Sequence, residues 1–246
     1  MAEWETGEAF LAAAAVDPEV FALRPDYRAV LLVADGLAAG PSDEASDALL
    51  RAAEAAAAAA LGDQPASELP HVAAWRDAYR DFGAKPQRTR NSLEALLRRA
   101  AGGLPRVNRL TDVYNAISVR HQIPLGGEDR NAYAGSPRLV RAVGDEDFEV
   151  AADGAVVTEH PESGEVVWRD DAGVTCRRWN WRQTRRTQLR DDTTSALFIL
   201  DALAPLADDE LLAATDELTR ELGRLGPDVR TAHRLIRAEP PAPEGV

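Results

Sequence analysis

Three short polar side chains recur at helical spacing in the middle of the chain. Asn108, Asp112 and Asn115 are separated by four and then three residues. In a helix over 107–118 they would form one line, apart from an apolar stripe that includes Val113. Amide and carboxylate groups form hydrogen bonds with a ligand, whereas lysine and glutamate are typical of a solvated helix face. The pattern predicts the wall of a substrate pocket, and the alternative is an ordinary exposed face with poor helix formers.

A pair of glycines follows this predicted helix. Gly126 and Gly127 stand in the segment 123–129, which ends at Asp129. Glycine lets the backbone approach a ligand closely and leaves backbone amides free to point at it. Asp129 could then accept a hydrogen bond from a hydroxyl or amino group of that ligand. We therefore expect Gly126, Gly127 and Asp129 to bind substrate; a plain turn is the alternative.

An arginine-rich segment with two tryptophans spans residues 177–187. Guanidinium groups bind phosphates, and aromatic rings stack on bases, each stacked base contributing about 1–3 kcal/mol. We expect RNA to bind to arginines of this segment and of a helix predicted over 91–102. They are Arg98, Arg99, Arg178, Arg182 and Arg186. On strand periodicity, Trp179 and Trp181 would share one face. The alternative is that the tryptophans belong to the core and the arginines form a solvated face.

The distribution of charge favours an anionic partner even though the net charge is −13. Residues 71–141 carry 13 basic and 6 acidic residues, and residues 176–190 carry 6 basic residues and no acidic one. Lys85 is the only lysine, so nearly all of these cations are guanidinium groups, which can form two hydrogen bonds to one phosphate. The alternative is that an arginine-rich genome alone produces this bias.

Several common chemistries lack the residues that they need. The four histidines lie far apart, and the single cysteine cannot form a disulfide or a cysteine metal cage within one chain. The sequence has neither a G-x-S-x-G nucleophile motif nor a G-x-x-x-x-G-K phosphate loop. Cys176 lies in a strand pattern and is expected in the core. We expect no metal and no cofactor, and the sequence identifies no catalytic residue.

Hydrophobic periodicity and capping residues predict the main elements. Helical spacing is found over 42–61, 69–82, 91–102, 107–118, 192–203 and 208–225. Short runs typical of strands lie at 30–33, 139–140, 148–150, 156–157, 166–168 and 174–176. Most of the strands thus lie between two groups of helices. This order predicts a mixed α/β (α+β) fold with a largely antiparallel central sheet covered by helices.

Changes in composition divide the chain into three predicted parts. Residues 1–66 form an N-terminal α/β portion packed on the main domain of residues 67–238, and the proline-rich residues 239–246 form a disordered tail. No segment approaches the roughly 20 apolar residues of a membrane span. The first ten residues also lack the pattern of a signal peptide. We therefore expect a cytoplasmic protein with no membrane partner.

Several spaced motifs in a fixed order carry a family resemblance over about 70–225. They are Trp75-Arg76, Ala78-Tyr79-Arg80, Phe82-Gly83, Ser92-Leu93-Glu94, Leu104-Pro105, Val107-Asn108, Pro124-Leu125-Gly126-Gly127, Gly164-Glu165-Val166-Val167 and Cys176-Arg177-Arg178-Trp179-Asn180-Trp181-Arg182-Gln183. This series resembles stand-alone proteins built on the tRNA-editing domain of the phenylalanyl-tRNA synthetase beta subunit. In the synthetase, that mixed α/β domain hydrolyses the ester of tyrosine wrongly attached to the tRNA for phenylalanine. The resemblance implies an aminoacyl pocket, with tRNA or aminoacyl-tRNA as partner.

Two positions depart from the pattern of that family. The synthetase domain has a histidine after the Pro-Leu pair and a glutamate in its closing helix, and this chain has Gly126 and Ile199 at those places. The matching pocket residues are Asn108, Asp112, Asn115, Pro124 and Asp129. The resemblance implies a free-standing aminoacyl-tRNA deacylase that edits mischarged tRNA. The two replacements favour the alternative, a non-catalytic binding module for tRNA or for a free aromatic amino acid.

Overall fold

The structure is a computed structural model that describes residues 2–152 and 154–238. The helices are α1 (Ala2–Ala13), α2 (Pro18–Leu23), α3 (Glu44–Leu61), α4 (Pro70–Asp81), α5 (Ser92–Ala100), α6 (Arg109–Arg120) and α7 (Asp208–Leu222). The strands are β1 (Ala15–Val16), β2 (Arg28–Asp35), β3 (Leu125–Asp129), β4 (Arg138–Arg141), β5 (Phe148–Ala152), β6 (Ala155–Glu159), β7 (Val166–Asp170), β8 (Gly173–Arg177), β9 (Arg182–Gln183), β10 (Ser195–Ala202) and β11 (Arg230–Arg237). The predicted mixed α/β class with largely antiparallel sheets is confirmed.

The centre of the molecule is an antiparallel four-stranded sheet in the order β11-β2-β10-β3. Successive side chains of a strand point to opposite faces. Val30 and Leu32 therefore pack with helices α6 and α7, whereas Leu31 and Val33 pack on the other side of the sheet. Both faces of this sheet are covered, so its inner strands β2 and β10 are almost fully buried.

A second sheet covers the face that the helices α6 and α7 leave open. Its order is β1-β4-β7-β8-β9, with β1 parallel to β4 and the other pairs antiparallel. Trp168 and Cys176 from this sheet pack in one hydrophobic cluster with Leu31 and Leu197 from the first, and α4 adds Trp75. The expectation that Cys176 is a core residue is confirmed. This shared core holds the two sheets together.

The helix predicted over 192–203 is wrong. Ser195–Ala202 is the strand β10, which pairs with β2 on one side and β3 on the other. All of its residues are buried, so both faces are largely apolar and the alternation typical of a half-exposed strand is lost. Such a short apolar run cannot be distinguished by its pattern from a buried helix segment. Ile199 consequently lies on a strand.

The other predicted helices are confirmed, with small shifts at their ends. Asp43 caps α3 by accepting a 2.8 Å hydrogen bond from Ser46 N. Asn91 caps α5 by accepting a 2.8 Å hydrogen bond from Glu94 N. Such caps satisfy amides that have no partner in the first turn of a helix. The predicted strands correspond to β2 and to β4 through β8, whereas β1, β3, β9 and β11 have no counterpart among them and β10 was predicted as a helix.

Residues 1–66 supply an inner strand of the first sheet. Strand β2 lies between β10 and β11, so its backbone hydrogen bonds go to strands from the C-terminal part of the chain. The division of the chain at residue 66 stays a prediction, and residues 239–246, predicted to be disordered, lie outside the described residues. Among the helices of the described ranges, none has the length and apolar character that crossing a membrane requires.

Candidate functional site

Strands β3 and β10 bring together two positions that are far apart in the sequence. Gly126 and Ile199, the two positions at which the sequence departs from the family pattern, are cross-strand partners. Glu128 follows Gly126 by two residues, and Asp201 follows Ile199 by two residues. Because side chains alternate along a strand, all four positions face the same side of the sheet. Two carboxyl groups thus flank the pair of replaced residues.

A cavity of about 50 Å³ lies against this side of the sheet. We call it the inner cavity. All four of those positions line it, and the second sheet and the turn after β8 contribute Trp168, Cys176 and Trp179. The inner cavity therefore lies between the two sheets, within the molecule's main aromatic core.

Gln183 covers Gly126 at the wall of the inner cavity. Its Nε2 donates a 3.0 Å hydrogen bond to the backbone oxygen of Gly127. A Cβ atom at position 126 would lie 2.8 Å from this Nε2, which is closer than Cβ contacts normally come. In this conformation, Gln183 leaves no room for a side chain at position 126.

Asp201 is a fully buried carboxyl group that lines the inner cavity. Its Oδ1 accepts a 2.6 Å hydrogen bond from the Tyr27 hydroxyl, and its Oδ2 accepts a 3.2 Å hydrogen bond from Asn180 Nδ2. Burial disfavours the ionised carboxylate more than these two hydrogen bonds favour it, which raises the pKa of Asp201 to about 7. Asp201 therefore exchanges its proton near neutral pH, as an effective general base does.

Glu128 is the second buried carboxyl group of the inner cavity. The Tyr133 hydroxyl donates to its Oε2, Thr187 Oγ1 donates to the same oxygen at 3.2 Å, and Gln183 Nε2 lies 3.5 Å from Oε1. Burial raises the pKa of Glu128, although these hydrogen bonds favour its ionised form. Glu128 accepts hydrogen bonds from three side chains, whereas Asp201 accepts from two. Asp201 thus keeps more capacity to accept a hydrogen bond from a ligand or water.

Three buried donors at the wall of the inner cavity have no acceptor. Within the described residues, Ser92 Oγ, Trp168 Nε1 and Trp179 Nε1 have no hydrogen-bond partner. A buried donor without a partner costs about 1–3 kcal/mol, so a ligand oxygen that reached any of these atoms would gain a hydrogen bond. The described ranges contain no group of histidine, cysteine, aspartate and glutamate residues that could hold a metal ion.

A larger pocket of about 530 Å³ adjoins the inner cavity. We call it the outer pocket. Its charged lining residues are Arg88, Arg90, Arg98 and Arg99. Among the described residues no carboxylate lines it, so its field favours an anionic ligand. It shares Ser92, Leu125 and Trp181 with the inner cavity, so the two lie side by side and make a two-part recess.

Arg98 and Arg99 lie at the exposed C-terminal end of α5. Within the part of the chain that the structure describes, neither forms an ion pair or a side-chain hydrogen bond. Arg90 differs, because its Nε lies 3.6 Å from Glu94. The two predicted RNA-binding arginines of α5 thus keep their full hydrogen-bonding capacity for a ligand of the outer pocket.

Arg178 and Arg186 already bind carboxylates of this protein. Arg186 forms two hydrogen bonds to Asp170, of 2.7 and 2.9 Å. Arg178 Nε lies 3.4 Å from Glu165, and its guanidinium carbon lies 4.6 Å from the centre of the Trp181 ring. Binding of RNA by these two arginines stays a prediction. Arg186 would have to share or release a fully buried partner to bind a phosphate.

The turn between β8 and β9 interrupts the strand pattern that the sequence indicates over 177–187. Arg178 and Trp179 have φ values of 48° and 68°, which residues other than glycine rarely adopt. The indole of Trp179 is buried, with its centroid 4.9 Å from the Tyr27 ring. Strand periodicity therefore does not apply across this turn. Arg182, the first residue of β9, lines the inner cavity, and its binding of RNA stays a prediction.

The polar line on α6 is mostly occupied by contacts within the protein. Asn108 caps α6, because its Oδ1 accepts a 2.8 Å hydrogen bond from an amide of the first turn. Asp112 is fully buried and accepts hydrogen bonds from Val107 N at 2.9 Å and from Ser46 Oγ at 3.1 Å. Asn115 lines the outer pocket. Contact of Asn108 and Asp112 with substrate stays a prediction.

The other predicted substrate residues are spread along β3. Gly126 lines the inner cavity, whereas Gly127 faces the helices, where a Cβ atom would lie 2.9 Å from the Phe198 ring. Asp129 is the last residue of β3 and accepts a 2.9 Å hydrogen bond from Thr193 Oγ1. Of these three, only Gly126 lines the inner cavity among the described residues. Substrate binding by Gly127 and Asp129 stays a prediction.

Asp201 and Gln183 are candidate site residues that the sequence patterns do not single out. Asp201 stands in the run Ser195–Ala202, where it is the only charged residue. A charge inside a buried apolar run is costly without hydrogen-bond partners. The presence of this one acid was therefore a signal in the sequence that could have indicated a site residue. Gln183 carries no comparable signal, because its role depends on lying opposite Gly126.

Comparisons with known proteins identify a domain family. A family model described as the B3/4 domain matches residues 74–220. A comparison with curated proteins gives no match. Among solved structures, the chain is similar to an N-terminal fragment of the phenylalanyl-tRNA synthetase beta-subunit from Pyrococcus horikoshii, with 13% identity and a TM-score of 0.45. That match covers 88% of this chain and 50% of the fragment, so the chain spans half of the fragment's length.

Proposed function

Because this chain belongs to the B3/4 domain family, as the sequence resemblance predicted, we propose that it is a tRNA-related module with aminoacyl-tRNA deacylase activity. In this proposal the outer pocket binds phosphates at the 3′ end of the RNA. The inner cavity receives the aminoacyl group attached to the terminal ribose. The partner is therefore an aminoacyl-tRNA, and the reaction is hydrolysis of its ester bond.

The observation that carries the proposal is that a basic pocket lies beside a small, mostly apolar cavity that has two carboxyl groups in its wall. The outer pocket, at about 530 Å³, is in the range of sites that bind ligands larger than a single amino acid. The inner cavity is about one tenth of that volume and is lined by carboxyl, amide and indole groups. Ser92, Leu125 and Trp181 border both. An anionic polymer with a small acyl group at its end has the same two parts in the same order.

The chemistry requires little from the protein, because an aminoacyl ester is already reactive. A bound water attacks the ester carbonyl carbon while the Asp201 carboxylate accepts a proton from that water. The bond from the carbonyl carbon to the ribose oxygen then breaks, and the ribose oxygen takes up a proton as it leaves. General-base assistance of this kind contributes about 10²–10⁴-fold in rate. Ser92 Oγ, a donor without an acceptor, supports the negative charge that develops on the carbonyl oxygen.

The proposal is tested by hydrolysis of tRNAs charged with alanine, serine or tyrosine. We expect the protein to release at least one of these amino acids faster than spontaneous hydrolysis does. Asp201→Asn should lower that rate by about 10²–10⁴-fold. Asp171→Asn is the matched control, because Asp171 is an exposed carboxyl group outside both pockets and its change should leave the rate unaltered. No release above the spontaneous rate for any ester would contradict deacylase activity.

The second candidate is a non-catalytic module that binds tRNA or a free aromatic amino acid. The observation that favours it is the pair Gly126 and Ile199, since neither side chain can transfer a proton. Binding of uncharged tRNA without hydrolysis of any ester would support this candidate. Contacts to phosphates would then make log K fall with log salt by about 0.7 per phosphate on single-stranded RNA. Binding of a free amino acid would depend only weakly on salt.

A further inference from the structure

We propose that the acyl group accepted by the inner cavity is small, of glycyl, alanyl or seryl size, and that Ile199 sets this limit. This inference rests on the proposed function and names its substrate class. It differs from the tyrosyl ester that the sequence resemblance implies. It concerns the size of the group that enters the cavity, and it can be tested separately from hydrolysis.

The volume of the inner cavity is the first argument. A cavity of about 150 Å³ admits a benzene ring, which has six heavy atoms. The inner cavity has about 50 Å³ and therefore holds only a few heavy atoms. A methyl or hydroxymethyl side chain fits this space, whereas the ring of tyrosine or phenylalanine does not.

The walls of the inner cavity are the second argument, because they belong to the core. Trp168 and Trp179 are at most 1% exposed. Trp179 packs edge-to-face on Tyr27 and on Trp75, with ring centroids 4.9 and 5.3 Å apart. Protein interiors are close-packed, so enlarging the cavity on this side would disrupt several ring contacts at once. This wall is a poor candidate for movement around a larger ligand.

The floor of the inner cavity is equally constrained. Ile199 belongs to β10, which is hydrogen-bonded to a strand on each side, and only 5% of the residue is exposed. Its cross-strand partner Gly126 provides no side chain, but Gln183 occupies the space above that glycine. The replacement of a larger residue by Gly126 therefore does not open the cavity. Truncation of Ile199 would enlarge the cavity without breaking a hydrogen bond.

The experiment compares alanyl, seryl and tyrosyl esters of one RNA minihelix, each corrected for its spontaneous hydrolysis. We expect the alanyl and seryl esters to react at least tenfold faster than the tyrosyl ester. Ile199→Ala removes three carbon atoms from the floor and should shift the tyrosyl-to-alanyl rate ratio at least tenfold toward tyrosyl. A ratio measured on one preparation does not depend on how much of the variant is folded.

Leu197→Ala is the matched control. Leu197 is buried on the same face of β10, two residues before Ile199, but does not line the inner cavity among the described residues. Its truncation should leave the rate ratio unchanged. A wild-type protein that prefers the tyrosyl ester would overturn the proposal, as would an Ile199→Ala ratio that moves no more than the Leu197→Ala ratio.

If no ester is hydrolysed, the proposed function fails, and the size limit is tested by binding alone. The probes are then minihelices that carry alanine or tyrosine through a stable amide bond. At least tenfold tighter binding of the alanyl amide would support the size limit without any catalysis. Equal binding, or tighter binding of the tyrosyl amide, would overturn it.

Discussion

Two arginine-rich regions of this protein look alike in sequence and differ in structure. The arginines of α5, Arg98 and Arg99, line the outer pocket and have no carboxylate partner within the described residues. In the segment 177–187, Arg178 and Arg186 are bound to carboxylates of the same chain. A count of basic residues therefore does not identify the cations that are free to bind RNA. Arginines without a carboxylate partner should determine the affinity for RNA, whereas arginines paired with a carboxylate should determine the stability of the fold.

The largest difference between the two regions is expected in the free energy of unfolding, which Arg186→Ala should lower. This change removes both hydrogen bonds to Asp170, whose carboxylate is fully buried. Asp170 keeps hydrogen bonds from three backbone amides but loses its cation. Removing one partner of a buried ion pair costs about 3–5 kcal/mol, so the free energy of unfolding should fall by up to about that amount. Chemical denaturation measures this loss. The double variant Arg98→Ala/Arg99→Ala should change stability by less than about 0.5 kcal/mol, because both residues are exposed.

The next largest effect is expected in RNA affinity, where the arginines of α5 should matter although they contribute little to stability. Arg98→Ala/Arg99→Ala should weaken binding of an RNA minihelix about tenfold or more and reduce the salt slope by about 0.7 for each phosphate that the variant no longer binds. Titration at several salt concentrations measures both quantities. The control is Arg220→Ala/Arg224→Ala, at the end of α7 and just after it, since it removes two exposed arginines that do not line the outer pocket. An equal loss of affinity in both double variants would break the distinction between the two regions.

A smaller effect is expected from the buried acid of the inner cavity. Burial raises the pKa of Asp201 to about 7, whereas the unfolded chain releases this proton near pH 4. The folded state then binds more protons than the unfolded state between these values. The contribution of Asp201 to stability should therefore decrease as pH rises from about 4 to about 7. Unfolding of wild type and Asp201→Asn at pH 5 and pH 8 tests this, and the variant should gain relative stability at pH 8.

The smallest effect on stability is expected from His71, a core side chain that is hydrogen-bonded to its neighbours. Its Nδ1 donates to Gln122 O at 2.7 Å, and its Nε2 accepts from Leu203 N and Trp75 Nε1, both at 3.1 Å. Burial lowers the pKa of His71 to about 4, while the unfolded chain binds this proton near pH 6.5. Stability should therefore decrease as pH falls from about 6.5 to about 4. His71→Asn should reduce this dependence, and an unchanged pH profile would contradict it.

The helices were predictable because their signals are local. The caps Asp43 and Asn91 lie beside the helices that they begin, and apolar periodicity marks α4, α6 and α7. β10 was not predictable in the same way, since burial on both faces removes its alternation. Its assignment decides where Ile199 and Asp201 lie, so the floor of the inner cavity could not be placed from the sequence.

The candidate site was predictable in part for a similar reason. Asn115, Gly126 and Arg98 border the two pockets, and each belongs to a motif with a chemical meaning, whereas their binding of substrate or RNA stays a prediction. The partners of Asp112 and Arg186 come from distant elements, which no local pattern indicates. A polar residue in a predicted pocket wall and one that joins two helices have the same sequence signal. Only the fold distinguishes them.

The most direct test of the two-part recess is a structure of the protein bound to an RNA minihelix whose 3′ end carries alanine through a stable amide bond. We expect a phosphate within hydrogen-bonding distance of Arg98 or Arg99, and the alanyl methyl group in the inner cavity beside Ile199. Binding of the RNA to the segment 177–187 alone, with the alanyl group outside the inner cavity, would contradict the proposed arrangement.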